Sequence, residues 1–312
     1  MIKTYTVALL YSSGLEARQF IHHFRIKMKE TMPNALMHQY CYKFSKVEHL
    51  QVCAKDIVAK EFDAVVVYGV FSAYNLAYEL QKAGKKIPVI YTSVLNKKTI
   101  TIVQENSLVS YGVACSEQKG GEIMSIIHQC KPTLRSVVFL YDRDNERELK
   151  KRGSNEIFTR YKNDAISYCN EHFIECSFYN NANNPQLDSL LLALKDCDTV
   201  ITVEGYFDSF MAASLSEFCI ANNKTLVSGN SDLVQHGKAA LSYGFDCSLL
   251  ASEAVNSAEQ ILTGKKLPFQ HVHEIVTNER ILSVNIALSS GQGLDTDYIL
   301  SKIALLHKSI LF

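Results

Sequence analysis

Residues Asp63–Thr92 read DAVVVYGVFSAYNLAYELQKAGKKIPVIYT, and this stretch decides the fold. It begins with the apolar run DAVVVY and ends with a second one, PVIYT. Between them, Ser72–Ala83 has the apolar spacing of a helix and ends at Gly84, a residue type common directly after a helix. Two short apolar strands joined by a helix predict parallel strands that are buried on both faces of a sheet.

The same alternation extends in both directions along the chain. Tyr5–Tyr11 (YTVALLY) and Ala35–Phe44 precede it as predicted strands, and each is followed by a helical segment. After a seam around residues 109–120, the pattern restarts at Ser136–Tyr141 (SVVFLY) and continues through Thr199–Val203 (TVITV). This repetition predicts an α/β fold with two doubly wound parallel-sheet lobes joined by a hinge.

The last part of the chain has a different character. We expect a helix at Ser248–Gly264, a long strand at Glu274–Ala287 and a final helix at Thr296–Ser309. In a two-lobed protein these late elements complete each lobe. The expected lobes are an N-terminal lobe of 1–112 plus about 245–284 and a C-terminal lobe of about 113–244 plus 285–312, with a ligand cleft between them.

Composition excludes several classes of protein. The 32 Lys and Arg residues balance the 32 Asp and Glu residues, so the chain lacks the basic footprint of a nucleic-acid-binding protein. The nine cysteines include no C-x-x-C pair, which predicts neither a disulfide framework nor a zinc site and fits a reducing compartment. No apolar run is long enough for a transmembrane segment, and no signal peptide is visible. A cytoplasmic location is therefore expected if Met1 is the native start.

Ligands of open parallel sheets bind beyond the carboxyl ends of the strands, so the loops at those ends are the candidate site. Ser12, Ser13 and Ser72 are expected at helix N-termini, where free backbone N–H groups favour a carboxylate or phosphate. Serine also serves there as an ordinary N-cap, and both interpretations stay open. The predicted ligand-binding residues are Ser12, Ser13, Phe71, Ser72, Ala73, Thr92, Ser93, Tyr141, Asp142, Glu204, Gly205, Tyr206, Asn230, Ser231 and Asp232.

The acidic and aromatic residues of these loops allow more than one interpretation. Asp142, Glu204 and Asp232 could hold an ammonium group, although Asp142 and Asp232 could equally cap helices. Glu204 directly follows a predicted strand and precedes Gly205, which favours a position facing the cleft. The aromatic side chains of the same loops could stack on a flat ligand or pack in the core.

The sequence contains no recognisable catalytic motif. Neither a G-x-S-x-G elbow nor a phosphate-binding G-x-x-x-x-G-K-[ST] loop occurs, and Gly291-Gln292-Gly293 lacks the third glycine of a dinucleotide site. His271 and His273 alternate on one face of an extended segment, but no third ligand is nearby, so a surface or interface pair is the preferred interpretation. We therefore expect no catalytic residues, no metal site and no cofactor.

One segment resembles a known protein family. Gly237–Gln270 reads GKAALSYGFDCSLLASEAVNSAEQILTGKKLPFQ and is similar to ABC transporter substrate-binding proteins of the tryptophan and tyrosine type. Members carry a G-A-x-A-S-Y-G-x-D-Y run and then a helix ending in I-L-x-G-x-K-P. The matching residues are Gly237, Ser242, Tyr243, Gly244, Asp246, Ile261, Leu262, Gly264 and Lys266. Weaker similarities, such as Ile87–Val94 and Ser136–Asn145, follow in the order that the family has.

The resemblance implies a type I periplasmic-binding fold that closes on an amino acid or a related molecule, often aromatic. In such a fold, Phe71-Ser72-Ala73 and Thr92-Ser93 would hold the carboxylate side, and loops of the other lobe would close over the ligand. Glu204-Gly205-Tyr206 departs from the T-D-N-like triplet of the family, so the resemblance leaves the ligand open. It also implies a periplasmic or extracytoplasmic location.

The leading hypothesis is a non-catalytic solute-binding protein that traps a small molecule by lobe closure and delivers it to a partner such as an ABC permease. The partners expected are therefore a small ligand and a permease, and no nucleic acid. A cytoplasmic ligand sensor on the same fold is the alternative. An enzyme on a flavodoxin-like sheet is a weaker alternative, supported only by the loop carboxylates.

Overall fold

The computed structural model describes residues 3–43, 47–115, 119–141, 155–180, 187–203, 209–229, 231–264, 271–277, 280–303 and 308–311. The chain divides into two compact units, and each is discontinuous in sequence. The first unit comprises Met1–Ser116, Arg152–Ser154 and Asp246–Asn278, and the second comprises Glu117–Lys151, Asn155–Phe245 and Glu279–Phe312.

Strands and helices alternate along most of the described chain. The strands are β1 Tyr5–Ser12, β2 Ala35–Tyr42, β3 Ala64–Tyr68, β4 Val89–Thr92, β5 Ser110–Cys115, β6 Ser136–Tyr141, β7 Glu175–Asn180, β8 Thr199–Thr202, β9 Thr225–Ser228, β10 Leu241–Gly244, β11 His271–Thr277, β12 Ile281–Val284 and β13 Lys308–Leu311. The helices are α1 Leu15–Thr31, α2 Val47–Ala59, α3 Val70–Ala83, α4 Lys97–Asn106, α5 Gly120–Cys130, α6 Asn155–Glu171, α7 Leu187–Ala193, α8 Ser209–Ala221, α9 Ser231–Gln235, α10 Cys247–Leu262, α11 Ile286–Gly291 and α12 Thr296–Tyr298, which a π-helical turn at Ile299–Ile303 extends.

The first unit is built on a six-stranded sheet in the order β11-β5-β4-β3-β1-β2, with every neighbouring pair parallel. All five residues of β3 are buried, as a strand covered on both faces requires. Val65 and Val67 belong to a core formed with residues of α2 and α3. Tyr68, which alternation directs to the opposite face, packs its ring on Phe20 of α1, and α1 in turn packs against α10.

The second unit is built on a seven-stranded sheet in the order β13-β12-β10-β9-β8-β6-β7. Its described pairs are parallel except β10 with β12, which is antiparallel. Helices α5 and α6 lie against each other over a core that includes Phe139 and Tyr161. Gly120 permits this close approach, because an added Cβ would overlap the Tyr161 carbonyl oxygen. The predicted fold class, two α/β units with mainly parallel sheets, is confirmed.

The C-terminal part differs from the sequence-based expectation. The predicted long strand at Glu274–Ala287 is wrong: β11 pairs with β5 in the first unit, whereas β12 pairs with β10 in the second. Ile281–Val284, expected in the N-terminal lobe, thus belongs to the second sheet. The predicted helix at Thr296–Ser309 is also wrong in part, because Lys308–Leu311 is strand β13. Apolar periodicity does not identify the partner of a strand, and here the partner determines where each strand begins and ends.

Four elements had no counterpart in the sequence analysis, among them the short helices α9 and α11. Strand β10 was not predicted, and neither was helix α4, whose sequence KKTITIVQEN is rich in β-branched residues of low helix propensity. Asn96 starts this helix by accepting a hydrogen bond from the Thr99 amide at 2.9 Å. Among the described helices, none is both long and apolar enough to cross a membrane.

Candidate functional site

The carboxyl edge of the first sheet carries two helix N-termini that lack side-chain caps. Helix α1 follows Gly14 and helix α3 follows Gly69, and neither glycine can offer a side-chain acceptor to the first-turn amides. Gly69 has a φ of 85°, a conformation in which a side chain would be strained. A helix N-terminus without a side-chain cap is a position at which proteins bind anionic groups.

The serines expected to begin helices occupy other positions. Ser12 is the last residue of β1, and Ser13 donates its amide to the Tyr42 carbonyl at 2.7 Å. Ser72 is the third residue of α3, is fully buried, and its Oγ lies 3.1 Å from the Tyr42 hydroxyl. Ser72 thus lies at a helix N-terminus as expected and Ser12 and Ser13 precede one, but none of the three is the N-cap residue, because Gly14 and Gly69 hold those positions.

Four further predicted residues lie along the same edge. Phe71 is partly exposed in the first turn of α3, and Ala73, two residues later, is buried. Thr92 ends β4, is buried, and donates its hydroxyl to the Val67 carbonyl at 3.2 Å, which ties it to the neighbouring strand. Ser93 is partly exposed and has a φ of 57°, which is uncommon for serine and is a feature found at ligand sites.

The structure adds a polar cluster that sequence reasoning missed. Tyr68, at the end of β3, donates its hydroxyl to the carboxylate of Glu16 in the first turn of α1, and Ser93 hydrogen-bonds the same phenol. Burial raises the pKa of Glu16, and the Tyr68 hydrogen bond opposes that shift. Burial and then the negative charge of Glu16 raise the pKa of Tyr68 well above its ordinary value. We call these three residues the Glu16 cluster.

In the second unit, the predicted residues that are described lie at the carboxyl edge of its own sheet. Tyr141 ends β6 and is 7% exposed, with its ring 4.8 Å from that of Phe158. This contact makes Tyr141 part of the core as well as of the edge. Ser231 and Asp232 begin the five-residue helix α9 and are partly exposed. The remaining predicted residues lie outside the described part of the chain: Asp142, Glu204, Gly205, Tyr206 and Asn230.

A second Tyr–Glu pair was also missed by sequence reasoning. Tyr243 near the end of β10 donates its hydroxyl to Glu122 in the first turn of α5 at 2.7 Å. Burial and then this hydrogen bond raise the pKa of Tyr243 above its ordinary range. Buried Arg280, just before β12, lies with its guanidinium carbon 4.7 Å from the centre of the Phe245 ring. Because β12 is antiparallel to β10, Arg280 too stands at the carboxyl edge.

The two histidines of β11 have structural neighbours within the first unit. His271 Nδ1 lies 3.0 Å from the Ser110 hydroxyl on the paired strand β5. His273 stacks on Tyr91 with ring centroids 5.7 Å apart, and Gly112 lies between them in register. An added Cβ at Gly112 would overlap both rings, so the glycine makes room for the stack. Across the described residues, no group of three His, Cys, Asp or Glu side chains is placed to hold a metal ion.

No protein-family model matches the chain, and no curated protein matches it by sequence. Solved structures match it over nearly its whole length. A conserved domain protein from Vibrio cholerae O1 biovar El Tor has a TM-score of 0.73 at 15% identity, over 99% of this chain and 100% of that one. An ABC domain from Streptococcus pneumonia, in complex with L-Trp, has a TM-score of 0.75 at 13% identity over the same shares.

A third similar structure is a carbohydrate transporter solute-binding protein from Agrobacterium radiobacter in complex with D-arabinose. Its TM-score is 0.60 at 12% identity, over 90% of this chain and 95% of that one. At these identities the likeness concerns the fold. The chain has the type I periplasmic-binding fold, and solved proteins of this fold include ones named as ABC and solute-binding proteins.

Proposed function

We propose that this chain is a non-catalytic solute-binding protein that captures a small molecule, an amino acid or a related and often aromatic compound. The supporting observation is the carboxyl edge of the first sheet, where two glycine-capped helices leave first-turn amides for a ligand carboxylate. The fold supports the same function, since proteins named for solute binding share it.

The predicted ligand-binding residues take the following roles in this proposal. Phe71, Ser72 and Ala73 place the N-terminus of α3 at the carboxylate of the ligand, and Ser93, which follows the neighbouring strand β4, adds a hydroxyl at the same edge. The second unit contributes its own carboxyl edge to the ligand: Tyr141, Asp142, Glu204, Gly205, Tyr206, Asn230, Ser231 and Asp232. Lobe closure then traps the ligand and offers the closed form to a partner such as an ABC permease, which places the protein outside the cytoplasm.

Thermal unfolding of the purified full chain tests this proposal. The panel contains the twenty L-amino acids, nucleosides and neutral sugars, each at millimolar concentration. A ligand at ~100 times its Kd adds about 2.7 kcal/mol to the free energy of unfolding, so we expect a clear rise in Tm with at least one aromatic amino acid. A panel in which no compound raises the Tm contradicts solute capture.

A pair of variants separates a ligand-binding effect from a general one. Glu204→Ala is expected to abolish the ligand-induced shift while the ligand-free Tm stays unchanged. Glu175→Ala is the matched control, since Glu175 is exposed at the opposite end of a strand, at the start of β7. A large drop in the ligand-free Tm of Glu204→Ala would instead assign Glu204 a structural role.

A cytoplasmic ligand sensor is the second candidate, and the cysteines favour it. All nine are free thiols, and seven of them are buried. Free thiols persist in a reducing compartment, whereas exported proteins usually oxidise theirs. Fractionation of the native protein distinguishes the two candidates: a pool confined to the cytosol supports the sensor and contradicts the permease partner.

A further inference from the structure

Strand β2 is an open edge of the first sheet. It pairs with β1 over eight residues in continuous parallel register, and no described strand lies on its other side. Its sequence, ALMHQYCY, contains no Asp, Glu, Lys, Arg, Pro or Gly. A long, regular and uncharged edge strand presents backbone N–H and C=O groups that can pair with another chain.

The other edge strands of the two sheets carry features that discourage such pairing. Strand β11 has a register shift between Ile275 and Thr277. Strand β13 is four residues long and begins with Lys308, and β7 begins with the exposed Glu175. Irregular register, short length and charged side chains are the usual ways in which proteins protect an edge. Among the edge strands of the described chain, β2 is the one without any of these features.

The hydrogen bonds to β1 show which backbone groups of β2 point outward. The Ser13 amide donates to the Tyr42 carbonyl at 2.7 Å, so Tyr42 directs its backbone groups towards β1. Successive residues of a strand direct these groups to alternate sides. Met37, Gln39 and Cys41 therefore direct their N–H and C=O groups away from β1, along the open edge.

A second copy of the same strand is complementary to this edge. In antiparallel pairing about a two-fold axis at Gln39, Gln39 lies opposite Gln39 of the partner subunit, and Met37 lies opposite Cys41 of the partner subunit. Each outward residue then donates one hydrogen bond and accepts one, and no like charges meet because the strand carries none. An axis one residue nearer the start of the strand would require the Ala35 amide, which already donates within its own chain.

The same register pairs the side chains of the intervening residues. Leu36 is 55% exposed, and this register sets it opposite Tyr42 of the partner subunit. It also sets His38, which is exposed, opposite Tyr40 of the partner subunit. These are positions without mutual hydrogen bonds, where facing side chains approach most closely. Pairs of aromatic residues, or of an aromatic and an apolar residue, stabilise paired strands at such positions.

We infer that two copies of this chain form a symmetric dimer by antiparallel pairing of their β2 strands, which joins two six-stranded sheets into one. The interface is the outer side of β2, whereas the predicted ligand-binding residues of this unit lie in and beside the loops after β1, β3 and β4. The dimer is therefore independent of solute capture, and failure of the proposed function leaves it intact.

The first experiment measures the mass of the ligand-free full chain by sedimentation velocity, from low micromolar to submillimolar concentration. We expect a species of twice the mass of one chain that increases with concentration. Gln39→Pro removes the central donor but keeps the pairing with β1, because the Gln39 N–H points away from β1. This variant should lose the two-chain species and still unfold cooperatively. A single-chain mass for the natural protein at every concentration, or a dimer that persists in Gln39→Pro, overturns the inference.

The second experiment tests the register and does not depend on the proline variant. Gln39→Lys and Gln39→Glu each place like charges directly opposite one another, so each variant alone should dimerise with a Kd about 5-fold weaker. An equimolar mixture of the two places opposite charges together and should restore the two-chain species. Gln81→Lys is the matched control, since Gln81 is exposed on α3.

The outcomes of the charge variants are distinct. If the mixture does not restore the two-chain species, the pairing about Gln39 is wrong. If Gln81→Lys weakens the dimer as much as Gln39→Lys does, the effect of the charge is general, and the assignment of the interface to β2 is overturned.

Discussion

The two units share an architecture but differ in how the charged side chains at their sheet edges are buried and partnered. In the first unit, Glu16 at the carboxyl edge is partly exposed and accepts a hydrogen bond from the buried Tyr68. In the second unit, Lys131 and Lys224 are buried at the amino edge. The carboxyl edge of the second unit holds the buried Arg280 and pairs Tyr243 with a Glu122 that is exposed to water.

The two buried lysines of the second unit donate hydrogen bonds to neighbouring protein groups. Lys224 donates to the carbonyls of Lys195 and Cys197 at 2.7 and 2.6 Å, and Lys131 donates to Thr225 Oγ1 at 2.9 Å. Burial lowers the pKa of Lys131, yet its ammonium group retains protein acceptors. Protein acceptors therefore compensate the buried ammonium groups of Lys131 and Lys224, which gives these lysines a structural role.

The largest expected effect is at the amino edge of the second unit. Lys224→Met should lower the free energy of unfolding by about 3 kcal/mol, because two buried carbonyls lose a charged donor. Lys85→Met is the counterpart in the first unit, where an exposed lysine donates to the Val58 carbonyl at 2.8 Å, and should cost less than about 1 kcal/mol. Urea unfolding measures both. Equal losses would contradict a structural role specific to the buried lysine.

A smaller effect separates the two Tyr–Glu pairs. Tyr68→Phe should lower the free energy of unfolding by about 1.5 kcal/mol, since the Glu16 carboxylate then loses the hydroxyl donor of a buried side chain. Tyr243→Phe should lower the free energy of unfolding by less than about 0.5 kcal/mol, because Glu122 is exposed and water can replace the phenol as its hydrogen-bond donor. The measurement is urea unfolding at neutral pH without ligand. If Tyr243→Phe is the more costly change, the contrast between the two edges is wrong.

The smallest expected effect is a trend with pH. The folded-state pKa of Glu16 is raised by burial, so the stabilising contribution of its protonated form is fully present at acid pH and is lost as the pH rises through that pKa. Glutamine does not titrate. The stability of the natural chain relative to Glu16→Gln should therefore fall between acid and neutral pH. A difference that stays constant over this range would mean that Glu16 titrates normally in the folded protein.

Much of the fold could be predicted from the sequence, because buried parallel strands and their helices leave local patterns. DAVVVY, PVIYT and SVVFLY correspond to β3, β4 and β6, and the helix expected at Ser72–Ala83 is α3. The predictions failed where pairing decides the outcome. Glu274–Ala287 was predicted as one strand, but its two apolar parts join different sheets, and the local pattern does not identify the partner of either part.

The candidate site, like the fold, could be predicted from the sequence only in part. The sequence by itself determined which loops follow strands, and therefore that Ser12, Ser13, Phe71, Thr92 and Ser93 lie at one edge of a parallel sheet. Only the tertiary structure decided that Glu16 meets Tyr68, 52 positions away, and that Tyr243 meets Glu122, 121 positions away. The reason is physical: local pattern fixes the element and its face, whereas the partner and burial of a charge depend on residues that only folding brings together.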